Sequence, residues 1–230
     1  MFAKVVKKTE IRHLFCKKSV ILHCFQTHFL NKMIYDKKKI VVFDFDGTLT
    51  TRDTLLMFLQ FVFGTKRFAM GILLFAPLII LMKLKLYDNS KCKEHLFSWF
   101  FKGMKYTTFA EYGKRFAIKV RGVARQDTTK SLAQHYANGD TLYIISASIK
   151  EWVAPYCQSL GVTAVLATEA EVDADGYLTG RFATPNCYGA EKERRLLAVE
   201  PDRETYHLTA YGDSSGDAEM FALADIHYKV

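Results

Sequence analysis

Cysteine is scarce in this sequence. The 230 residues contain five cysteines, at positions 16, 24, 92, 157 and 187. An odd number of scattered cysteines excludes the disulfide framework of a small secreted protein and favours reduced thiols in the cytoplasm. We therefore expect a cytoplasmic protein in which each cysteine is a small, largely buried apolar residue.

The sequence also lacks a secretory signal, low-complexity tracts and internal repeats. In residues 1–36, lysines and histidines interrupt every apolar run, and no small-residue cleavage site follows. We interpret residues 1–36 as a basic N-terminal extension. It is either an amphipathic segment for a membrane surface or an upstream extension read from a start codon other than the natural one, with Met33 as the alternative start.

The body of the chain lacks net charge. Residues 1–39 carry ten lysines and arginines against two acids, whereas residues 40–230 carry 22 of each sign. The whole formal net charge of +8 therefore lies in residues 1–39, which comprise the extension and Lys37-Lys38-Lys39 after it. A neutral body gives no reason to expect a nucleic-acid partner.

Short apolar runs that end in polar residues predict the strands of a sheet. Their β-branched residues and charged ends are typical of strands buried on both faces of a parallel sheet. Between the later runs lie helical patterns at 106–137, 150–160 and 191–199, which indicates a doubly wound, mostly parallel α/β sheet of Rossmann-like type. Asp175-Gly176 predicts a hairpin turn within 169–182. The predicted strands cover 40–43, 141–145, 207–211 and 226–230.

Residues 52–135 interrupt this alternation. Two very apolar stretches, 55–63 and 68–82, flank Gly64-Thr-Lys-Arg67, and no run with a polar end follows them. We predict an inserted helical cap over 52–135, with the α/β core formed by 37–51 and 136–230.

The strongest chemical signal is the segment from Phe43 to Thr50, FDFDGTLT. Asp44 and Asp46 follow a predicted strand and project from the same side of the chain at the carboxyl edge of the sheet. Two neighbouring carboxylates repel each other unless a cation or proton lies between them, and Mg²⁺ is the usual cation beside phosphate. An EF-hand calcium loop is excluded, because its Gly and Glu positions hold Leu49 and Leu55. A structural Asp-Gly turn is the remaining alternative.

Three more elements follow in order. Ser146 ends the second strand before a helix, where its hydroxyl and the next backbone N–H groups suit a phosphate. Lys192 begins a helix, where a cation is disfavoured unless it neutralises an anion. Asp213 and Asp217, in GDSSGD, follow another strand and suit the same metal. Taken singly, Ser146 would be only a helix cap and Lys192 a solvated surface residue.

Together, DFDGTLT, Ser146, Lys192 and GDSSGD resemble the four signature segments of haloacid dehalogenase-like phosphatases, over about residues 37–230. The position of the insertion is similar to that of the helical cap in the phosphoserine phosphatase branch. The resemblance implies a magnesium-dependent phosphomonoester hydrolase.

The resemblance also implies a role for each matching residue. Asp44 would be the nucleophile that forms an aspartyl-phosphate, and Asp46 the general acid and then base. The remaining roles concern ligands. Mg²⁺ would be held by Asp44, the backbone carbonyl of Asp46, Asp213 and Asp217, and the phosphoryl oxygens by Ser146, Ala147, Lys192 and Gly47.

The substrate stays open at this point. Phosphoserine phosphatases place a glutamate where this chain has Asp53, which we take as a candidate substrate contact. The apolar run 68–82 offers nothing to a small zwitterion. The combination of DFDGTLTTRD, residues 44–53, with this long apolar segment resembles bacterial phosphatidylglycerophosphate phosphatases, which implies a lipid phosphate and membrane contact at the inner face. A buried helix pair is the alternative interpretation of the run. Phosphoserine or another small metabolite, a phosphotransferase, and a catalytically silent binding protein are the alternatives.

Overall fold

A computed structural model describes residues 37–230. The basic extension 1–36, with Cys16, Cys24 and Met33, lies outside the described residues. Cys92, Cys157 and Cys187 are free and buried, as the sequence predicted.

Five strands form one central sheet, and two more form a separate hairpin. The order in the sheet is β3-β2-β1-β6-β7, and the β1–β2, β2–β3 and β6–β7 pairs are parallel. The hairpin pairs β4 with β5 in antiparallel fashion around the predicted Asp175-Gly176 turn. In chain order the strands are β1 (Lys38–Phe43), β2 (Thr141–Ile149), β3 (Ala164–Thr168), β4 (Ala170–Val172), β5 (Leu178–Phe182), β6 (Tyr206–Gly212) and β7 (Ile226–Lys229).

Helices cover both faces of the sheet. On β1, Val41 and Phe43 belong to one apolar cluster, and Ile40 and Val42 belong to another on the opposite face. This alternation explains the uninterrupted apolar run, because both sides of the strand are buried. The predicted doubly wound, mostly parallel α/β fold is confirmed. The main helices are α1 (Thr54–Lys83), α2 (Asn89–Phe101), α3 (Tyr106–Val120), α4 (Gln126–Ala137), α5 (Lys150–Cys157), α6 (Ala190–Val199) and α7 (Ala218–Leu223).

Four local predictions differ from the structure. Strand β2 does not end at Ser146 but continues to Ile149, and β7 is exposed along its whole length rather than buried on both faces. The helix predicted over 106–137 is two helices, α3 and α4, separated by a 3₁₀ turn at Arg121–Val123. Strand β3 was not predicted, because AVLAT is short and its burial is incomplete. Helices α1 to α4 do lie between β1 and β2 in the chain. The boundaries of the predicted cap, 52–135, remain a proposal.

Helix α1 has two halves separated by Gly64. Gly64 has φ 72° and ψ 168°, which breaks the helical geometry inside the element. We call residues 54–63 the proximal half and residues 65–83 the distal half. The buried residues of α1 lie almost entirely in the proximal half, with Gly71 the exception. Within 37–230, α1 is the helix whose length and apolar composition would allow it to cross a membrane.

Candidate active site

Three carboxylates converge at the carboxyl edge of the sheet. Asp44 follows β1, and Asp213 and Asp217 follow β6, the strand beside it. One oxygen from each lies within 4.8 Å of the others. A Cβ on Gly47 would lie 2.0 Å from Oδ2 of Asp213, so only glycine lets the loop after Asp46 approach this group. Several carboxylate oxygens in a small volume match the ligand preference of Mg²⁺.

Lys192 connects two members of this carboxylate group. Its Nζ donates to Oδ1 of Asp44 at 2.6 Å and to Oδ1 of Asp217 at 2.5 Å. The lysine is buried at the start of α6. Oδ2 of Asp217 accepts from the backbone N–H groups of Asp213 and Ser214, so Asp217 also holds the loop after β6.

Burial and neighbouring charges shift the pKa values of Asp44 and Lys192. Burial raises the pKa of Asp44 to about 7, although the charge of Lys192 acts in the opposite direction. Burial lowers the pKa of Lys192, but the charges of Asp44 and Asp217 outweigh it, and the net direction is upward. Lys192 is therefore cationic, and Asp44 needs further positive charge nearby to be fully ionised at neutral pH. A divalent cation among these carboxylates would supply that charge.

Asp46 faces a different set of partners. Its Oδ1 accepts from the backbone N–H of Thr54 at 2.8 Å, and its Oδ2 accepts from the hydroxyl of Ser148. Burial is the main cause that raises the pKa of Asp46, and the nearby charge of Asp53 raises it further. The hydrogen bonds from Thr54 and Ser148 act in the opposite direction. The side chain of Asp46 thus stands apart from the three-carboxylate group, which is compatible with the predicted use of its backbone carbonyl as the metal ligand.

Three of the four predicted phosphate-binding residues line one cavity with Asp44, and Ser146 is not among the residues that line it. Ser146 is buried, and its Oγ accepts from the backbone N–H of Ser148 at 3.0 Å. Ala147 and Gly47 line the same cavity as Asp44 and Lys192. This cavity has a volume of about 700 Å³.

The lining of the cavity also includes apolar side chains. Ile72, Ile79 and Met82, from the distal half of α1, line the cavity together with Leu55 and Leu96. Asp53 lies at the rim, exposed, where its Oδ1 accepts from the backbone N–H of Leu56 at 3.1 Å and so caps α1. The structure therefore gives Asp53 a capping role in addition to its predicted place near the substrate.

Sequence reasoning missed three side chains at the site. Lys93, on α2, lines the cavity and donates to the carbonyl of Ala147. Arg125 donates to the carbonyl of Gly47 at 2.8 Å and holds that loop. Ser148 contacts Asp46. Of the three, only Ser148 could have been found from the sequence. It lies two residues after Ser146, and residues two apart on a strand share a face.

The family comparison decides the class of protein. The family model of haloacid dehalogenase-like hydrolases matches residues 41–222. The chain belongs to this family. The protein CicA of Caulobacter vibrioides is 34% identical to this haloacid dehalogenase-like hydrolase over 191 residues, which cover 81% of this chain and 83% of CicA.

Solved structures show the same fold. A protein of unknown function from Bordetella pertussis Tohama I has a TM-score of 0.72 at 20% identity, and the match covers 84% of this chain and 90% of the Bordetella chain. A substrate-bound phosphoserine phosphatase complex has a TM-score of 0.58 at 18% identity, and the match covers 84% of this chain and 85% of the phosphatase chain. The predicted superfamily, its α/β fold and membership of a hydrolase family are confirmed. The resemblance to phosphatidylglycerophosphate phosphatases stays a prediction.

Proposed function

We propose that this haloacid dehalogenase-like hydrolase is a magnesium-dependent phosphomonoester hydrolase that works through an aspartyl-phosphate on Asp44. The convergence of Asp44, Asp213 and Asp217, with the ammonium group of Lys192 bound to Asp44 and Asp217, carries the proposal. Phosphoryl transfer depends mainly on positioning and charge compensation, and this group supplies both.

In the first step, a carboxylate oxygen of Asp44 attacks phosphorus in line, and the bond from phosphorus to the ester oxygen breaks. Asp46 gives a proton to the departing oxygen. In the second step, Asp46 takes a proton from water as that water attacks the phosphorus of the aspartyl-phosphate. Inorganic phosphate leaves, and Asp44 is regenerated.

The other residues hold the phosphoryl group and offset charge. Lys192, Ser146 and the backbone N–H groups around Ala147 and Gly47 are the proposed ligands of the phosphoryl oxygens. Asp44, the backbone carbonyl of Asp46 and Asp213 would hold Mg²⁺, with Asp217 in support, and the ion would offset the charge between the phosphate and Asp44.

The test is turnover of nitrophenyl phosphate by Asp44→Asn. The amide has nearly the same shape but cannot attack phosphorus, so we expect turnover at background level with an unchanged unfolding transition. Asp175→Asn is the matched control, because it makes the same change in the exposed hairpin turn. Chelation with EDTA should also stop the unaltered enzyme, and Mg²⁺ should restore it. Substantial turnover by Asp44→Asn, or by the thoroughly chelated enzyme, would refute the proposal.

For the substrate we propose a lipid phosphate, such as phosphatidylglycerophosphate. The observation that favours it is the lining of the cavity, which combines carboxylates with the apolar side chains of Ile72, Ile79 and Met82. An acyl chain needs such an apolar path, and a small zwitterion does not. Phosphoserine remains the second candidate, because Asp53 at the rim could meet its amino group. A screen of lipid phosphates, phosphoserine and acceptor alcohols separates these candidates from each other and from a phosphotransferase.

A lipid substrate implies membrane contact, which we propose occurs through residues 68–82 at the inner face of the membrane. Leu73 is 77% exposed and Leu74 58%. Both ends of the distal half carry cations, Lys66 and Arg67 at one end and Lys83 and Lys85 near the other. Exposed apolar side chains between cationic ends suit anionic lipids. The basic extension, the other predicted contact, lies outside the described residues.

Vesicle flotation tests this contact. Leucine-sized groups gain about 1.5–3 kcal/mol each on burial, so replacing Leu73, Leu74 and Ile80 by Ser should release the protein from anionic vesicles. Ile118→Ser is the matched control, because Ile118 is 70% exposed on α3. Chains starting at Met33 remove the contribution of the tail. If these chains never float, and phosphoserine is preferred to every lipid phosphate, the lipid proposal is wrong.

A further inference from the structure

Both oxygens of the Asp46 carboxylate are held in place. The backbone N–H of Thr54 donates to Oδ1 at 2.8 Å, and the hydroxyl of Ser148 donates to Oδ2. Ser148 is 1% exposed. The side chain of Ser148 can rotate about its Cα–Cβ bond, so it fixes the position of Asp46 only if other groups fix the Ser148 hydroxyl.

Ser148 is itself held by a chain of buried donors. Its Oγ lies 3.2 Å from Oγ1 of Thr54, and Nε1 of Trp152 donates to that Oγ1 at 3.1 Å. The indole N–H is only a donor, and each hydroxyl has one proton to give. The Asp46 carboxylate is the final acceptor of this network: Trp152 donates to Thr54 and Ser148 donates to Asp46, while the Thr54 side chain is a second hydrogen-bond partner of the carboxylate. Thr54 and Trp152 are fully buried.

We infer that Ser148 is a positioning residue, anchored through Thr54 to Trp152, that holds the carboxyl group of Asp46 in place for proton transfer. The inference rests on the proposed function, in which Asp46 protonates the departing oxygen. Buried, mutually satisfied polar networks restrict side chains to one geometry. Proton transfer needs such restriction, since a displacement of about 1 Å can cost on the order of a hundredfold in rate.

The dependence of the rate on the leaving group distinguishes this role from others. An alkyl alcohol leaves poorly without a proton, whereas nitrophenolate leaves without one. A residue that acts through Asp46 therefore matters for alkyl phosphates and little for nitrophenyl phosphate. A residue that merely supports the fold, or that binds the phosphoryl group, affects both substrates alike.

The experiment compares Ser148→Ala, Asp46→Asn and the double variant on an alkyl phosphate and on nitrophenyl phosphate. For Ser148→Ala we expect kcat on the alkyl phosphate to fall roughly tenfold, part of the 10²–10⁴ that a general acid typically contributes. The fall on nitrophenyl phosphate should be much smaller, with KM little changed. In the Asp46→Asn background, Ser148→Ala should add almost nothing, because residues that act as a unit are not additive.

Equal losses on the two substrates, no loss, or a full tenfold loss in the Asp46→Asn background would overturn the inference. If Ser148→Ala does not fold, Thr54→Val removes only the middle hydroxyl of the chain and should shift the ratio of the two rates in the same direction. Thr54→Ser keeps that hydroxyl and should keep the ratio, so equal ratios for Val and Ser would also overturn it. A failure of the proposed function is distinct, since Asp46→Asn itself would then slow both substrates equally.

Discussion

The two halves of α1 have similar apolar composition and opposite surroundings. In the proximal half, Phe58 is fully buried, and its ring contacts Phe101, Phe109, Phe116 and Trp152. In the distal half, Leu73 and Leu74 are exposed to solvent. Hydrophobicity alone therefore does not decide burial, and the difference suggests that the proximal half serves the fold and the distal half serves a partner.

The largest expected effect is on stability in the proximal half. Phe58→Ala should lower the free energy of unfolding by about 3–5 kcal/mol, because it opens a cavity in the aromatic cluster. Leu73→Ala in the distal half should change it by less than about 0.5 kcal/mol. Denaturant unfolding measures both. Similar losses for the two variants would mean that the distal half is ordinary core.

The second expected effect concerns the junction of the halves. Gly64 has φ 72° and ψ 168°, a conformation that L-residues rarely adopt, and a Cβ there would meet no atom within 4 Å. Gly64→Ala should therefore cost about 1–3 kcal/mol through backbone strain alone. Gly122→Ala is the control, because its Cβ also meets nothing and its φ is not positive. Equal unfolding midpoints for the two variants would show that the break is not needed.

The third expected effect is on substrate preference. Ile79 lines the cavity, whereas Ile80, the next residue, is exposed. With a lipid phosphate short enough to stay dissolved, Ile79→Ser should lower kcat/KM about tenfold, the order expected when one apolar side chain no longer contacts the acyl chain. Ile80→Ser should have little effect on this soluble substrate. Matching losses for both variants would contradict the proposed acyl path.

The smallest expected effect separates two roles of Asp53. Asp53→Ala removes the cap of α1 and should cost about 1 kcal/mol of stability. Asp53→Asn keeps a capping oxygen but removes the charge, so stability should hold. If Asp53 also meets the amino group of phosphoserine, both variants should lose turnover of phosphoserine. Unchanged phosphoserine turnover in Asp53→Asn would leave Asp53 as a cap alone.

The sequence predicted those features of the fold and of the site that depend mainly on the strand to which a residue belongs. The apolar runs that became β1, β2, β6 and β7 predicted the sheet, and the acids after β1 and β6 were predicted to meet because parallel strands end at one edge. Contacts that depend on how α1 and α2 pack could not be predicted. Lys93 is one of many lysines, and nothing in its neighbours along the chain indicates that it reaches Ala147.

The proposed role of Asp44 is tested most directly by trapping the phosphorylated enzyme. Enzyme mixed with nitrophenyl phosphate and Mg²⁺, quenched in acid within one turnover and digested, should give one phosphorylated peptide, the one that contains Asp44. Hydroxylamine should release the phosphate, because it is an acyl phosphate, and the Asp44→Asn enzyme should give no such peptide. A phosphoryl group found on another residue, or a phosphopeptide of the same yield from Asp44→Asn, would contradict the assignment of Asp44 as the nucleophile.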